Sequence, residues 1–263
     1  MDTATRLTPA EIYDQLFVPT LFGRFPHLVL DAAGVGRDQA VLDVGCGTGA
    51  AAEAALERTG RGGRVAGVDP NEEMLGVARN KGVPIEWYAG SAEGLPLPDG
   101  TFDAVISQFA LMFFDDPPHA LREMVRVLRP GGRLAVSIPD AIDHSPGFSV
   151  LAELLHRRFG PDVAEGFRQP FRGGDPDWLR QVCDEAGLTE ARIERRDESA
   201  RFASASEFVQ AEGACLWTLG GVLDDAQLQR LAADAEESLA PFRAADGTVT
   251  VVLPCLVVTA RKA

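Results

Sequence analysis

Short apolar runs alternate with stretches of helical periodicity along the first half of the chain. The apolar runs lie at 39–44, 64–68, 84–88, 102–107 and 133–138. Runs of this length with turn residues around them predict buried strands. Stretches with good helix propensity lie between most of them, at 49–59, 71–81 and 117–128. Strands that alternate with helices favour a parallel sheet with right-handed crossovers and helices on both faces.

The pattern is less regular after residue 138. It predicts helices near 150–159, 175–186, 204–219 and 224–240, and strands at 188–202 and 248–259. Pro254 lies inside the last strand and implies a bulge or an edge position there, because proline donates no backbone hydrogen bond. At the other end of the chain, Thr8 followed by Pro9 predicts the start of one or two amphipathic helices over residues 8–33.

These elements predict one domain with no linker, residues 1–263. Its core is a seven-stranded, mostly parallel α/β sheet, and we expect the last strand to insert antiparallel beside the fifth. The predicted parts are an N-terminal helical cap at 1–37, a ligand-binding core at 38–138, lid insertions at 139–174 and 201–247, and the final strand at 248–263.

A glycine-rich loop follows the first predicted strand. The segment VLDVGCGTGA, residues 41–50, places Gly45, Gly47 and Gly49 between a strand and a helix. Glycine allows positive φ angles and lets the backbone approach a ligand closely. Asp69 ends the second strand, where its carboxylate can accept hydrogen bonds from both hydroxyls of a ribose. The two features together predict a nucleoside site at the carboxyl edge of the sheet.

Three details distinguish between nucleoside cofactors. Asp43 precedes the glycines, and a carboxylate there would repel a pyrophosphate but attract a cationic sulfonium or ammonium group. The loop reads G-x-G-x-G followed by Ala50, so it matches the dinucleotide fingerprint only in its alanine variant. A final antiparallel strand is also absent from NAD-binding folds.

The sequence resembles the class I S-adenosylmethionine-dependent methyltransferases, in particular the group typified by ubiquinone/menaquinone-biosynthesis methyltransferases. The resemblance is close over about residues 38–138. It rests on four segments in order: VLDVGCGTG, VAGVDPNEEML, AGSAEGLPLPDGTFDAV, and SQFALMFF with LREMVRVLRPGGRLAVS. It implies a Rossmann-like fold, S-adenosylmethionine as cofactor, S-adenosylhomocysteine as product, and methyl transfer to a small molecule.

The resemblance also implies roles for individual residues. Asp43 would engage the amino end of the cofactor, Asp69 would hold the ribose, and Tyr13 would either cap the cofactor or fill a core. The family often has Asp where this chain has Ser91, so the contact to the adenine amino group would be weaker here. The predicted cofactor residues are Tyr13, Asp43, Gly45, Cys46, Gly47, Asp69, Pro70, Met74, Ser91, Ala92, Glu93, Gln108, Phe109 and Met112.

Charge and cysteine content narrow the possible partners and surroundings. The formal net charge of −14 would repel a nucleic acid backbone, so none is expected as a partner. The four cysteines show no metal-binding or redox spacing, and no metal is predicted. We expect no signal peptide or membrane span, and therefore a cytoplasmic protein, either monomer or homodimer.

The acceptor pocket is expected between the N-terminal helices and the two insertions. Phe148, Phe167, Phe171, Phe208 and Trp217 either form an apolar lid, which would suit a moderately apolar acceptor, or simply fill a core.

His144 follows the fifth strand and is the candidate general base, because histidine titrates near neutrality; the alternative is a solvated loop side chain. Three other functions stay open: an NAD-dependent oxidoreductase, a cofactor-binding protein without catalysis, and a fold recruited for another reaction on the same donor. Whether the acceptor atom is O, N or C is open too.

Overall fold

Nine strands lie within the residues that the computed structural model describes, which are 7–215 and 217–263. Residues 1–6 of the predicted cap and Leu216 in the predicted lid lie outside that range. The strands are β1 (Ala40–Val44), β2 (Arg64–Asp69), β3 (Glu86–Ala89), β4 (Phe102–Gln108), β5 (Leu128–Pro139), β6 (Arg192–Arg196), β7 (Ser199–Phe202), β8 (Val249–Val252) and β9 (Cys255–Arg261).

Seven of the strands form one sheet in the order β3-β2-β1-β4-β5-β9-β6. β1 pairs parallel with β2 and β4, whereas β9 runs antiparallel between β5 and β6. All five residues of β1 are buried, as expected for a central strand covered on both faces. The predicted Rossmann-like sheet of seven strands, with the last one antiparallel, is therefore confirmed.

Eleven α-helices lie in the described ranges. They are α1 (Pro9–Ile12), α2 (Val18–Thr20), α3 (Pro26–Ala32), α4 (Ala50–Thr59), α5 (Glu72–Asn80), α6 (Pro117–Val127), α7 (Pro146–Phe159), α8 (Pro161–Arg168), α9 (Pro176–Glu185), α10 (Ala205–Ala214) and α11 (Asp225–Ser238). Six of them, α1, α5, α6, α9, α10 and α11, begin at a side-chain cap. Thr8 forms a capping box with Glu11, and Asn71 and Asp175 accept hydrogen bonds from the first turns of α5 and α9.

Two long strands predicted in the second half are wrong, because each changes sheet partway along. The stretch 188–202 divides into β6 in the main sheet and β7, which pairs antiparallel with β8 in a separate two-stranded sheet. The stretch 248–259 divides at Leu253 and Pro254, where the backbone carbonyl of Pro254 accepts from Asp140 N–H at 2.8 Å. Pro254 thus marks the crossing between the sheets and not a bulge within one strand.

Three helical predictions also need correction. The region 139–174 holds two helices, α7 and α8, where one was predicted, and Gly160 separates them with a φ of 94°. The predicted helix 204–219 ends at Ala214. The N-terminal stretch is divided into α1, a π-helical turn at Tyr13–Phe17, α2 and α3, since the backbone of Leu21 leaves helical geometry.

The buried apolar side chains form three clusters. Two of them cover the two faces of the main sheet, and the third joins the N-terminal segment to α7, α10, α11 and the two-stranded sheet. Phe167 and Phe208 belong to this third cluster and are fully buried there, on either side of Phe148. Within the described ranges, no helix is both long and apolar enough to cross a membrane.

Candidate functional site

A cavity of about 320 Å³ opens at the carboxyl ends of β1, β2 and β4. Open parallel sheets bind ligands at this edge, and the volume lies at the lower end of the range for small-molecule sites. Nine of the predicted cofactor residues line it: Tyr13, Asp43, Gly45, Cys46, Gly47, Asp69, Pro70, Gln108 and Phe109.

The glycine loop bends back on itself at the floor of this cavity. Gly45 and Cys46 donate backbone hydrogen bonds to the carbonyl of Val68, at 2.8 and 3.1 Å. The φ angles of Gly45, Gly47 and Gly49 are 71°, 54° and 97°. These left-handed conformations are strained for any residue with a side chain, so the glycines are what allow this bend.

Gly45 and Gly47 should respond differently to replacement by alanine. A Cβ at Gly45 would lie 2.5 Å from the Cβ of Ala110, whereas a Cβ at Gly47 would have no neighbour within 4 Å. We expect Gly45→Ala to lower the free energy of unfolding by about 2–4 kcal/mol, from overlap plus backbone strain. Gly47→Ala should lose only about 1–2 kcal/mol but should weaken ligand binding at the cavity it lines. Urea unfolding measures the free energy of unfolding, and calorimetry measures ligand binding. Equal losses of stability in the two variants would contradict the predicted difference in packing.

Asp69 holds the loop and still faces the cavity. Its Oδ2 accepts from Gly47 N–H and its Oδ1 from Asn71 N–H, each at 2.8 Å. Each carboxylate oxygen has a further lone pair, so both can accept another hydrogen bond. Burial raises the pKa of Asp69, while the two backbone N–H groups lower it. The side chain is therefore positioned to receive two neighbouring hydroxyls.

Asp43 is a buried carboxylate without a partner. Its side chain is 1% exposed, and neither oxygen has a hydrogen-bond partner among the described residues. Burial, together with the negative charge of Asp69, raises its pKa to about 7, and the nearby backbone N–H of Ala52, too far for a full hydrogen bond, opposes part of this rise. A buried and unpaired carboxylate is costly, and a cationic group in the cavity would stabilise its charged form.

The end of β4 contributes a strained turn to the cavity wall. Phe109 has a φ of 54°, which costs about 1–2 kcal/mol for a residue other than glycine. Its N–H donates to the carbonyl of Ser137 at 2.8 Å, and its ring packs on Phe22 and Phe25. Gln108 Nε2 donates to the Phe22 carbonyl at 2.9 Å, which leaves its Oε1 buried and unpartnered among the described residues. Such strain is concentrated at functional sites.

The N-terminal segment, residues 9–32, contributes Tyr13, Val18 and Phe22 to the wall of the cavity. The ring of Tyr13 packs edge-on against Trp217, with centroids 5.3 Å apart, and against Phe22 at 6.4 Å. Phe113 stacks on Trp217 at 5.8 Å. The sequence predicts functional roles for Tyr13 and Trp217 in this region but not for most of the wall. The additional lining residues are Val18, Phe22, Thr48, Ala50, Ala51, Asn71, Ala110, Phe113 and Phe114.

Five predicted cofactor residues do not line this cavity: Met74, Ser91, Ala92, Glu93 and Met112. Met74 is fully buried in the core, and Ser91 is exposed. Glu93 Oε1 accepts from the N–H groups of Asp115 and Asp116, at 3.0 and 3.3 Å, so it fastens a loop. Their contacts to a bound cofactor stay predictions.

His144 also lies away from the cavity. It ends a 3-10 turn at Ile142–His144, and its half-exposed ring places Nδ1 3.0 Å from Oδ2 of the buried Asp140. Arg195 Nε lies 3.2 Å from the same oxygen. This position favours the alternative of a surface side chain in an ion-pair cluster over a general base.

Comparisons with known proteins give the class. A model described as a methyltransferase domain matches residues 42–136. The ubiquinone/menaquinone biosynthesis C-methyltransferase UbiE of Enterobacter sp. (strain 638) is 43% identical over 178 residues, covering 62% of this chain and 71% of that protein. Other enzymes of that name match over 116 residues, so the chain spans just under half (46%) of their length.

Solved structures show the same fold. The YcgJ protein from Bacillus subtilis has a TM-score of 0.58 at 21% identity, covering 91% of this chain and 98% of that one. A SAM-dependent methyltransferase from Aquifex aeolicus has a TM-score of 0.54 at 20% identity, covering 98% and 100%. The chain belongs to the class I S-adenosylmethionine-dependent methyltransferases. It is a methyltransferase whose methyl donor is S-adenosylmethionine, as the sequence analysis predicts.

The cavity fits that donor on three observations. Asp43 presents unpartnered buried oxygens to a cation, Gly47 leaves space where a Cβ would project, and Asp69 retains free lone pairs for a ribose. When bound, the donor supplies a methyl group on a positively charged sulfur, which leaves as a neutral thioether. The protein's own contribution is to orient the two reactants and to exclude water.

Proposed function

We propose that this methyltransferase acts on a small, moderately apolar metabolite. The nine predicted cofactor residues that line the cavity, from Tyr13 to Phe109, would hold the donor. Asp69 would accept from the ribose hydroxyls, and Asp43 would face the positively charged end of the donor. The glycine loop would contact the donor through its backbone. The aromatic wall of Tyr13, Phe22 and Trp217 would keep water out.

The observation that supports an apolar acceptor is a second pocket beside the first. Phe22, Phe113 and Trp217 line both of them. The second pocket has an almost wholly apolar lining, which includes Phe148 and Phe171 from the two-helix insertion. An acceptor there would lie next to the donor cavity and bury its apolar surface. The UbiE relatives are enzymes of ubiquinone and menaquinone biosynthesis, which agrees with an acceptor of this kind.

A methyl-transfer assay tests the proposal. Purified protein is incubated with donor labelled at the methyl group and with three acceptor classes: a demethylated quinol, a charged primary amine and a duplex oligonucleotide. We expect label in the organic-soluble quinol product and none in the other two. A clear preference for the amine or the oligonucleotide would reject the apolar acceptor without affecting the assignment of the donor.

A further inference from the structure

Glu212 is a buried carboxylate that the donor site does not use. It lies on α10, 1% exposed, on the helix face that it shares with Ala205, Phe208 and Val209. Those three neighbours are apolar and fully or almost fully buried. No ion pair of Glu212 occurs within the described residues, and its Oε1 has no hydrogen-bond partner there. A carboxyl group in such surroundings destabilises the fold unless something else engages it.

Glu212 lines the second, apolar pocket. Besides Glu212, the lining offers only two further hydrogen-bonding side chains, Cys215 and Thr218, apart from the indole of Trp217. The Thr218 hydroxyl already donates to the backbone carbonyl of Glu212 at 3.0 Å. The carboxyl group is therefore the one strong acceptor that this pocket presents to a bound molecule. The pocket measures only about 30 Å³, so its wall must move for a ring-sized acceptor to enter.

We propose that Glu212 is the general base of the reaction, which takes the proton of an acidic hydroxyl on the ring of an apolar acceptor. This inference rests on the proposed function, because it assumes that the second pocket holds the acceptor. The apolar lining would bury the ring, and the carboxylate would accept the hydrogen bond of its hydroxyl. A charged amine fits less well, since the rest of the lining offers nothing to replace its hydration shell.

The step balances without any further reagent. The acceptor hydroxyl gives its proton to a Glu212 carboxylate oxygen. An electron pair of the resulting phenolate, on oxygen or on a ring carbon, forms the bond to the methyl carbon, while the carbon–sulfur bond breaks and leaves its electron pair on sulfur. If carbon attacks, the methylated ring carbon loses its C–H proton to water and the ring oxygen takes back the proton held by Glu212, which restores the aromatic hydroxyl.

The environment of Glu212 suits a base that works near neutrality. Burial raises its pKa to about 8, and the nearby Thr218 hydroxyl opposes part of this rise. Cys215 is the titratable group beside it, and burial raises the pKa of that thiol to about 12, so it is neutral in this range. A cationic donor in the adjoining cavity would favour the carboxylate, and a base is most effective when its pKa lies near the working pH.

Variants of Glu212 test the proposal with a quinol acceptor and saturating donor. We expect Glu212→Gln to lower kcat by about 10²–10⁴-fold, the range of a general base, and to leave the Kd for the donor unchanged. The pH dependence of kcat near pH 8 should disappear with it. Glu153→Gln, which removes an exposed carboxylate on α7, is the matched control and should behave as wild type. Glu212→Leu, which suits the apolar surroundings, replaces the Gln variant if that one does not fold.

A spectroscopic readout is independent of turnover. 4-Nitrophenol, whose anion absorbs visible light, is titrated from pH 6 to pH 9 with the protein bound to S-adenosylhomocysteine. In wild-type protein the bound phenol and Glu212 share a proton, so the spectrum should titrate in two coupled steps, whereas in Glu212→Gln it should titrate in one. Wild-type kcat and an unchanged nitrophenol spectrum in Glu212→Gln would overturn the proposal, as would a loss of kcat found in His144→Asn instead. Methylation of amines but of no phenol by wild-type protein would instead refute the proposed function.

Discussion

Asp69→Ala is expected to weaken S-adenosylmethionine binding by about two to four orders of magnitude. In the proposed complex the carboxylate accepts hydrogen bonds from two ribose hydroxyls, and each bond to a charged group contributes about 1.5–3 kcal/mol. The same carboxylate accepts from the N–H groups of Gly47 and Asn71, so its loss also loosens the glycine loop. Both effects lower donor affinity.

Calorimetry with the donor and with S-adenosylhomocysteine measures this loss. Asp69→Asn keeps one acceptor oxygen and should lie between wild type and the alanine variant. Asp99→Ala removes a carboxylate whose side chain is 77% exposed and pairs with Arg126, so it should leave the Kd unchanged. An alanine variant at position 69 that folds normally and binds the donor with wild-type affinity would contradict the proposed ribose contact.

The parallel half of the fold can be predicted from the sequence because local and tertiary signals agree there. β1 is buried on both faces, so its continuous apolar run has one interpretation. Asn71 is a residue type that commonly caps helices, and it caps α5 in the structure. The second half lacks this agreement. Apolar periodicity indicates a strand but not the sheet to which it belongs, and β6 and β7 join different sheets only two residues apart.

The cavity at the strand ends could be predicted in part, and the second, apolar pocket hardly at all. Asp43, Gly47 and Asp69 are adjacent to strand ends, so strand order alone brings them together. The Glu212 pocket depends on contacts between α10, the N-terminal segment and α7 that no local pattern gives. One signal was available: Ala205, Phe208, Val209 and Glu212 follow the i, i+3, i+4, i+7 spacing of a buried helix face. A carboxylate at the fourth position of such a face indicates a functional residue.

Asp43→Asn is expected to stabilise the ligand-free protein at pH 8 while weakening donor binding. The pKa of Asp43 is about 7 in the folded protein against an ordinary value of 3.8. The folded state therefore retains a proton that the unfolded chain releases, and stability falls as pH rises from about 4 to about 7. A shift of this size lowers the free energy of unfolding by roughly 4 kcal/mol, and this loss is complete above pH 7. The buried amide of the variant has unpartnered groups of its own, so we expect a net gain of about 1–3 kcal/mol at pH 8 and none at pH 4.

Donor binding should change in the opposite direction. A cation beside the carboxylate lowers the pKa of Asp43, so wild-type protein should release a proton on binding the donor at pH 6, and its affinity should rise between pH 5 and pH 7. Asp43→Asn should bind about 10- to 100-fold more weakly at pH 7, the effect of losing about 1.4–2.8 kcal/mol of charge attraction, and should release no proton at pH 6. Urea unfolding at both pH values and calorimetry in buffers of different ionisation enthalpy measure the two effects. A variant that gains no stability and binds the donor as wild type does would show that the carboxylate is not facing the donor's charge. If Asp43→Asn gains stability and loses donor affinity, the fold tolerates an unpaired buried charge because the donor pairs with it.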